Sequence, residues 1–173
     1  MKSFKLLIVV FLLVGCGSNK IVYDYDNKTN FNEFKTFNFY DDAGNGMNEL
    51  DVKRAQGIIE NELVSKGFKK DKSPDFLINF TSQKMDMGET NSVGVGIGGG
   101  RNVGFGISAG IPIGAKKINE EFTIEFVDAK TDALFWQGVS IKKIKEKIKP
   151  QERVIYLKEV VRKTFEKYPP SKK

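Results

Sequence analysis

Apolar and polar residues alternate most cleanly between Phe122 and Ile141. Phe122, Ile124 and Phe126 share one side and Thr123 and Glu125 the other, the period of two of a half-buried strand. Asp128-Ala129-Lys130-Thr131-Asp132 then supplies turn chemistry, because aspartate bonds nearby backbone and tolerates left-handed geometry. Leu134, Phe135 and Trp136, the only tryptophan, open a return strand. A hairpin this apolar needs neighbours to cover it, which places it in the middle of a sheet.

The same reading continues along the chain. Ile21–Tyr25 is a strand, and Phe34–Tyr40 a second one with Phe34, Thr36, Asn38 and Tyr40 on one side and Phe37 and Phe39 on the other. Asp41–Gly46 is a loop by composition. Asn48 caps a helix, with Asp51 completing a capping-box-like pair and Val52, Ala55, Ile59 and Leu63 as its apolar stripe. Lys66-Gly67 ends it. Pro74 leads into a strand through Phe80. Pro150 opens a second helix with Val154, Leu157, Val161, Phe165 and Tyr168 in its stripe, stopped by Pro169-Pro170. The expectation is one α+β domain over residues 21–170, a mainly antiparallel sheet with two amphipathic helices on one face, and a short tail at 171–173.

The start of the chain reads as an address. Lys2 and Lys5 precede an unbroken apolar run from Leu6 to Val14. That run is too short to span a bilayer, which takes about 20 residues, and matches the apolar part of a secretory signal over residues 1–15. It ends Leu13-Val14-Gly15-Cys16, similar to a bacterial lipobox. Cys16 is the only cysteine, so an internal disulfide is impossible, whereas acylation gives the lone thiol a purpose. Residues 16–20 then form a lipidated cysteine and short tether, its four residues before Ile21 spanning about 14 Å when extended. The membrane, reached through lipid on Cys16, is thus the first expected partner.

Charge adds little. There are 28 Lys and Arg against 22 Asp and Glu, a net of +6 that falls to +4 without Lys2 and Lys5. That is no nucleic-acid footprint. Lys142, Lys143, Lys145, Lys147 and Lys149 cluster, however. They could attract anionic headgroups or wall polymer. The favoured reading is a solvated strand end, with Ile141, Ile144 and Ile148 facing inward.

Ten of the 17 glycines fall between Gly88 and Gly114. Val93, Val95, Ile97, Val103, Phe105 and Ile107 alternate with small residues around a turn at Gly99-Gly100-Arg101-Asn102. Gly94-Val95-Gly96-Ile97-Gly98-Gly99 matches a dinucleotide fingerprint in letters only, since no helix pattern follows it. The favoured reading is a structural hairpin whose glycine side permits close packing. A self-associating edge and a membrane-inserting hairpin are the alternatives, with Val95, Ile97, Arg101 and Phe105 as contact residues.

Catalytic and metal chemistry find no motif. The chain has no histidine, so no imidazole-based triad and no usual zinc set. Asp24, Asp26 and Asn27 open like a calcium loop, but Lys28 and Thr29 break the pattern. No cofactor is expected. The enzymatic alternative is a carboxylate hydrolase on Glu121, Glu125 or Asp128, which would need two of them to converge in a cleft.

Five short motifs carry a family resemblance: Tyr23-Asp24-Tyr25-Asp26, Phe31 to Phe37, Pro74-Asp75-Phe76-Leu77, Val127 to Thr131 with Trp136-Gln137-Gly138, and Tyr168-Pro169-Pro170. In this order they resemble the lipoproteins of the "domain of unknown function 4136" family. Asp132 departs from the pattern, standing where glycine is expected in the turn. The resemblance implies a cell-envelope lipoprotein and no reaction. Gly17 and Ser18 after Cys16 resemble lipoproteins sorted to the outer membrane. The expectation is a non-catalytic envelope lipoprotein that binds or assembles with a protein or cell-wall partner.

Overall fold

The computed structural model describes residues 20–85 and 116–170. They form an α+β structure with a six-stranded mixed sheet and two helices. The strands are β1 (Lys20–Tyr25), β2 (Thr36–Phe39), β3 (Lys69–Lys70), β4 (Phe76–Met85), β5 (Lys117–Asp128) and β6 (Leu134–Lys145), in the order β1-β6-β5-β4-β2-β3. The helices are α1 (Glu49–Ser65) and α2 (Pro150–Phe165).

The β5–β6 hairpin lies in the middle of the sheet and is longer than the sequence pattern indicates. Lys117 pairs with Lys145 at its open end and Phe126 with Trp136 near its turn. Asp128 Oδ1 accepts from the amides of Lys130 at 2.7 Å and Thr131 at 3.0 Å, which closes the turn. Asp132 occupies the left-handed region at φ 53°, a position more often given to glycine.

The sheet is not antiparallel throughout. β1, β6, β5 and β4 pair antiparallel, but β2 runs parallel to both β4 and β3. The cause is connectivity: α1 lies between β2 and β4, and a chain that crosses over through a helix returns in the same direction. The second strand is also shorter than its pattern, because residues Phe31–Glu33 form a 3-10 turn capped by Asn30. Phe34 is freed from the strand and stacks on Phe135, ring centroids 4.1 Å apart.

α1 begins and ends where its residues dictate, whereas α2 opens at Pro150 as expected but stops at Phe165, so Tyr168 lies past its end and Pro169-Pro170 is not what terminates it. Asn48 accepts from the Asp51 amide at 3.0 Å, and Gly67 takes φ 92° just past the end of α1. Alternate strand residues are buried: Phe76, Ile78 and Phe80 on β4, Phe122, Ile124 and Phe126 on β5. Trp136 is 1% exposed, and its ring lies 5.8 Å from Phe165 of α2 and 5.0 Å from Tyr168. Of the second stripe, Leu157, Val161, Phe165 and Tyr168 are buried and Val154 half-buried. Arg153, Tyr156, Val160 and Thr164 are buried as well. The buried side of α2 is therefore wider than the apolar stripe and includes a charge.

Candidate functional site

Three polar regions are candidates, and the first lies inside the protein. Arg153, 6% exposed, donates from Nε to Asp51 Oδ2 at 2.9 Å and from NH2 to Glu120 Oε1 at 2.7 Å. Glu120 is fully buried and also receives the Ser82 hydroxyl. Arg54 donates to the other oxygen of Asp51 at 2.7 Å. Burial alone would raise the Asp51 carboxyl, but the Arg54 bond and the Arg153 charge outweigh it and hold it below the usual range. Burial likewise works against the Arg153 charge, and the paired Glu120 more than restores it. Tyr156 lies over the same guanidinium, 5.0 Å from its centre, and its hydroxyl is pushed up by burial and then by the Glu120 charge. Glu120 thus accepts three hydrogen bonds, one from Ser82 and two from Arg153, and is closed off from solvent. The cluster is a tie between α1, α2, β4 and β5.

Sequence reading missed this cluster, although a signal existed. Glu120 occupies the apolar side of the alternation Ile118-Glu120-Phe122-Ile124, and Arg153 precedes Leu157 by one helical turn. A charge on the apolar side of a strand and another on the apolar side of a helix are natural partners.

The second region is a cleft of about 580 Å³ lined by Tyr40, Asp42, Asn79, Thr81, Glu125 and Val127, with the 43–45 backbone as one wall. That wall is the 41–46 loop, which extends β2 alongside β4: Gly44 N donates to Phe80 O at 2.8 Å and Ser82 N to Asn45 O at 3.0 Å. At Gly46, φ 82°, a Cβ would lie 2.0 Å from the Ser82 carbonyl oxygen, so only glycine fits. Glu125 accepts one amide on each oxygen, from Asn79 and from Gln137, both at 2.9 Å. Tyr40 donates to Asp132 at 3.0 Å; burial, that bond and the charges of Asp132, Asp42 and Glu125 all raise its hydroxyl. The proposed hydrolase set does not come together here. Glu125 lines the cleft, Asp128 closes the hairpin turn, and Glu121 stands four residues along β5, about 13 Å away.

The third region is the lysine cluster. Lys142 is paired with Glu159 of α2, and Lys145 reaches Glu152 at 3.4 Å. Lys143 is exposed and makes no ion pair among the described residues. Ile144 is buried, while Ile141 and Ile148 are half-buried. The signal segment, Cys16, and the glycine-rich residues Val95, Ile97, Arg101 and Phe105 lie outside the described residues.

Among the described residues, no helix is long and apolar enough to cross a membrane, and no group of three or more His, Cys, Asp or Glu could hold a metal ion. No curated protein matches the chain. Solved structures similar in fold include these two. One is a PDZ domain protein from Parabacteroides distasonis, 18% identical with a TM-score of 0.57, aligned over 99% of this chain and 41% of that one. This chain therefore spans less than half the length of that protein. The other is the PelC dodecamer from Paraburkholderia phytofirmans, 9% identical with a TM-score of 0.52 over 86% of this chain and 95% of that one. At such identities the likeness concerns the fold alone. The family model Domain of unknown function (DUF4136) matches residues 21–170, nearly all of the sequence and every described strand but the first residue of β1, and the chain belongs to that family.

Proposed function

We propose that this is a non-catalytic cell-envelope lipoprotein, held at the outer membrane by acylated Cys16 and serving binding or assembly. In this reading both helices cover one face of the sheet. The opposite face, with the cleft between Tyr40 and Glu125, stays open to a partner. The observation that carries the reading is the distance between anchor and fold. β1 begins at Lys20, only four residues after the single cysteine and its lipobox-like flank. A folded domain so close to Cys16 leaves little chain for any role but a short tether. The polar lining of the cleft and the neutral amide held against each oxygen of Glu125 favour recognition over acid–base chemistry.

A second reading, assembly into a ring or array, draws on β1. It is an edge strand among the described residues, with Val22 and Tyr23 exposed on it. The similar PelC structure is described as a dodecamer.

Metabolic labelling with a fatty acid tests the anchor. The full chain should incorporate label and the Cys16→Ser variant should not. Equal labelling of the two would overturn the lipoprotein reading.

A further inference from the structure

Strand register gathers the entry of the chain and a set of unpaired lysines at one end of the sheet. β1 pairs antiparallel with β6, Lys20 opposite Ile141 and Tyr25 opposite Trp136. The chain arriving from Cys16 therefore enters β1 on the side where β6 runs on through Lys142, Lys143 and Lys145. β4 ends on this side at Met85, opposite Asn119, and β5 begins here with Lys117 opposite Lys145. The link from β6 to α2 carries Lys147 and Lys149 out of the same end.

Lys20, Lys84, Lys117, Lys143, Lys147 and Lys149 are all exposed there. None makes an ion pair among the described residues. By contrast Lys116, Lys142 and Lys145 are paired with Glu146, Glu159 and Glu152. The acidic groups in these rows are mostly consumed: Glu120 is bound by Arg153, and Glu121 is the carboxylate left without a cation. The sequence alone shows only the run at 142–149. Pairing across strands adds Lys20, Lys84 and Lys117 to it.

We propose that this end of the sheet is a membrane-docking surface that rests its lysines on anionic phospholipid headgroups. The placement of the bilayer rests on the Cys16 reading: with a tether of about 14 Å at most, the end that the tether enters is the end that faces the lipid. Lipid on Cys16 holds the chain at the surface but leaves the domain free to turn, and a basic patch beside the anchor adds attraction to anionic headgroups. Each lysine near such a surface strengthens binding by about fivefold. The patch also fixes orientation, because a domain tethered and docked at one end presents the rest of the sheet away from the membrane.

The test uses the chain from Gly17 to Lys173, which lacks the cysteine and keeps every described strand and helix. It should partition onto phosphatidylcholine vesicles containing phosphatidylglycerol, and not onto phosphatidylcholine alone, with binding weakened by salt. Lys143→Glu with Lys147→Glu should reduce partitioning by at least about tenfold. Lys69→Glu with Lys72→Glu, an equal charge change on and beyond the far edge strand, should reduce it much less. Tryptophan fluorescence from Trp136 checks that each variant is folded. No preference for anionic vesicles, or an equal loss in both double variants, would overturn the proposal. Because this chain carries no lipid, the fatty-acid labelling result stands or falls separately.

Discussion

Gly138 shows how much one missing methyl can matter. A Cβ there would sit 2.4 Å from Thr164 Cγ2 and 2.7 Å from the Trp136 ring. Neither neighbour can step aside: Thr164 is buried with its hydroxyl bonded to Val160 O, and Trp136 is wedged between Phe126 and Phe165. Glycine lets α2 approach β6 closely. Gly138→Ala should therefore destabilise the domain by about 1–3 kcal/mol, the range for overpacking a filled core. Urea unfolding followed by Trp136 fluorescence measures it, and an unchanged midpoint would mean that α2 sits further from β6. Asp75 is a second such residue. Its Oδ2 accepts from the amides of Lys35 and Thr36 and from the Thr36 hydroxyl, each at 2.9 Å. The Pro74-Asp75-Phe76-Leu77 motif thus fastens the start of β4 to β2.

Among the elements, α1 and α2 are joined to the sheet by charge as well as by apolar contact. Arg153 reaches Asp51 on α1 and Glu120 on β5 from the first turn of α2. Removing the guanidinium would strand Glu120, which is fully buried, and leave Asp51 with Arg54 as its one cation. Arg153→Met should cost about 3–5 kcal/mol, the range for breaking one side of a buried pair. Combining it with Glu120→Gln and Asp51→Asn removes both carboxylate charges and should recover part of that loss. Denaturant midpoints of the single and triple variants decide this. A triple variant weaker than Arg153→Met would show that hydrogen bonding to Arg153, and not its charge balance, holds the helices in place.

For the whole molecule, carboxylates held by hydrogen bonds and ion pairs set an acid limit. Asp75 is held below the usual carboxylate range first by the Lys35 amide bond, and Asp51 by Arg54 and Arg153 against its burial. A folded-state value below the unfolded one gives stability that is fully present above about pH 4, the ordinary carboxylate value. That stability is lost as pH falls through the lower folded values. Unfolding midpoints should therefore hold steady from neutral pH to about pH 5 and drop below about pH 4. Asp75→Asn should lower the neutral midpoint and make the acid decline shallower. A decline as steep as that of the parent would assign the acid sensitivity to other groups.

How much of this was legible follows from the range of each interaction. The central hairpin, α1 with its Asn48 cap, the Pro150 start of α2 and the left-handed Asp132 are set by neighbours within a few residues, so periodicity and turn chemistry reveal them. The family membership was legible too, through five short motifs whose structural duties, such as the Asp75 clamp and the close approach at Gly138, emerge only in the fold. Strand order and the parallel course of β2 were not legible, because pairing partners such as Phe37 and Phe76 lie far apart in sequence. The same holds for the Asp51–Arg153–Glu120 cluster, the cleft between Tyr40 and Glu125, and the lysines gathered from four separate stretches. Local sequence determined the elements and the chemistry each one carries. Only long-range packing decided which of those residues meet, because a contact across 33 or 102 residues leaves no periodic trace in the chain.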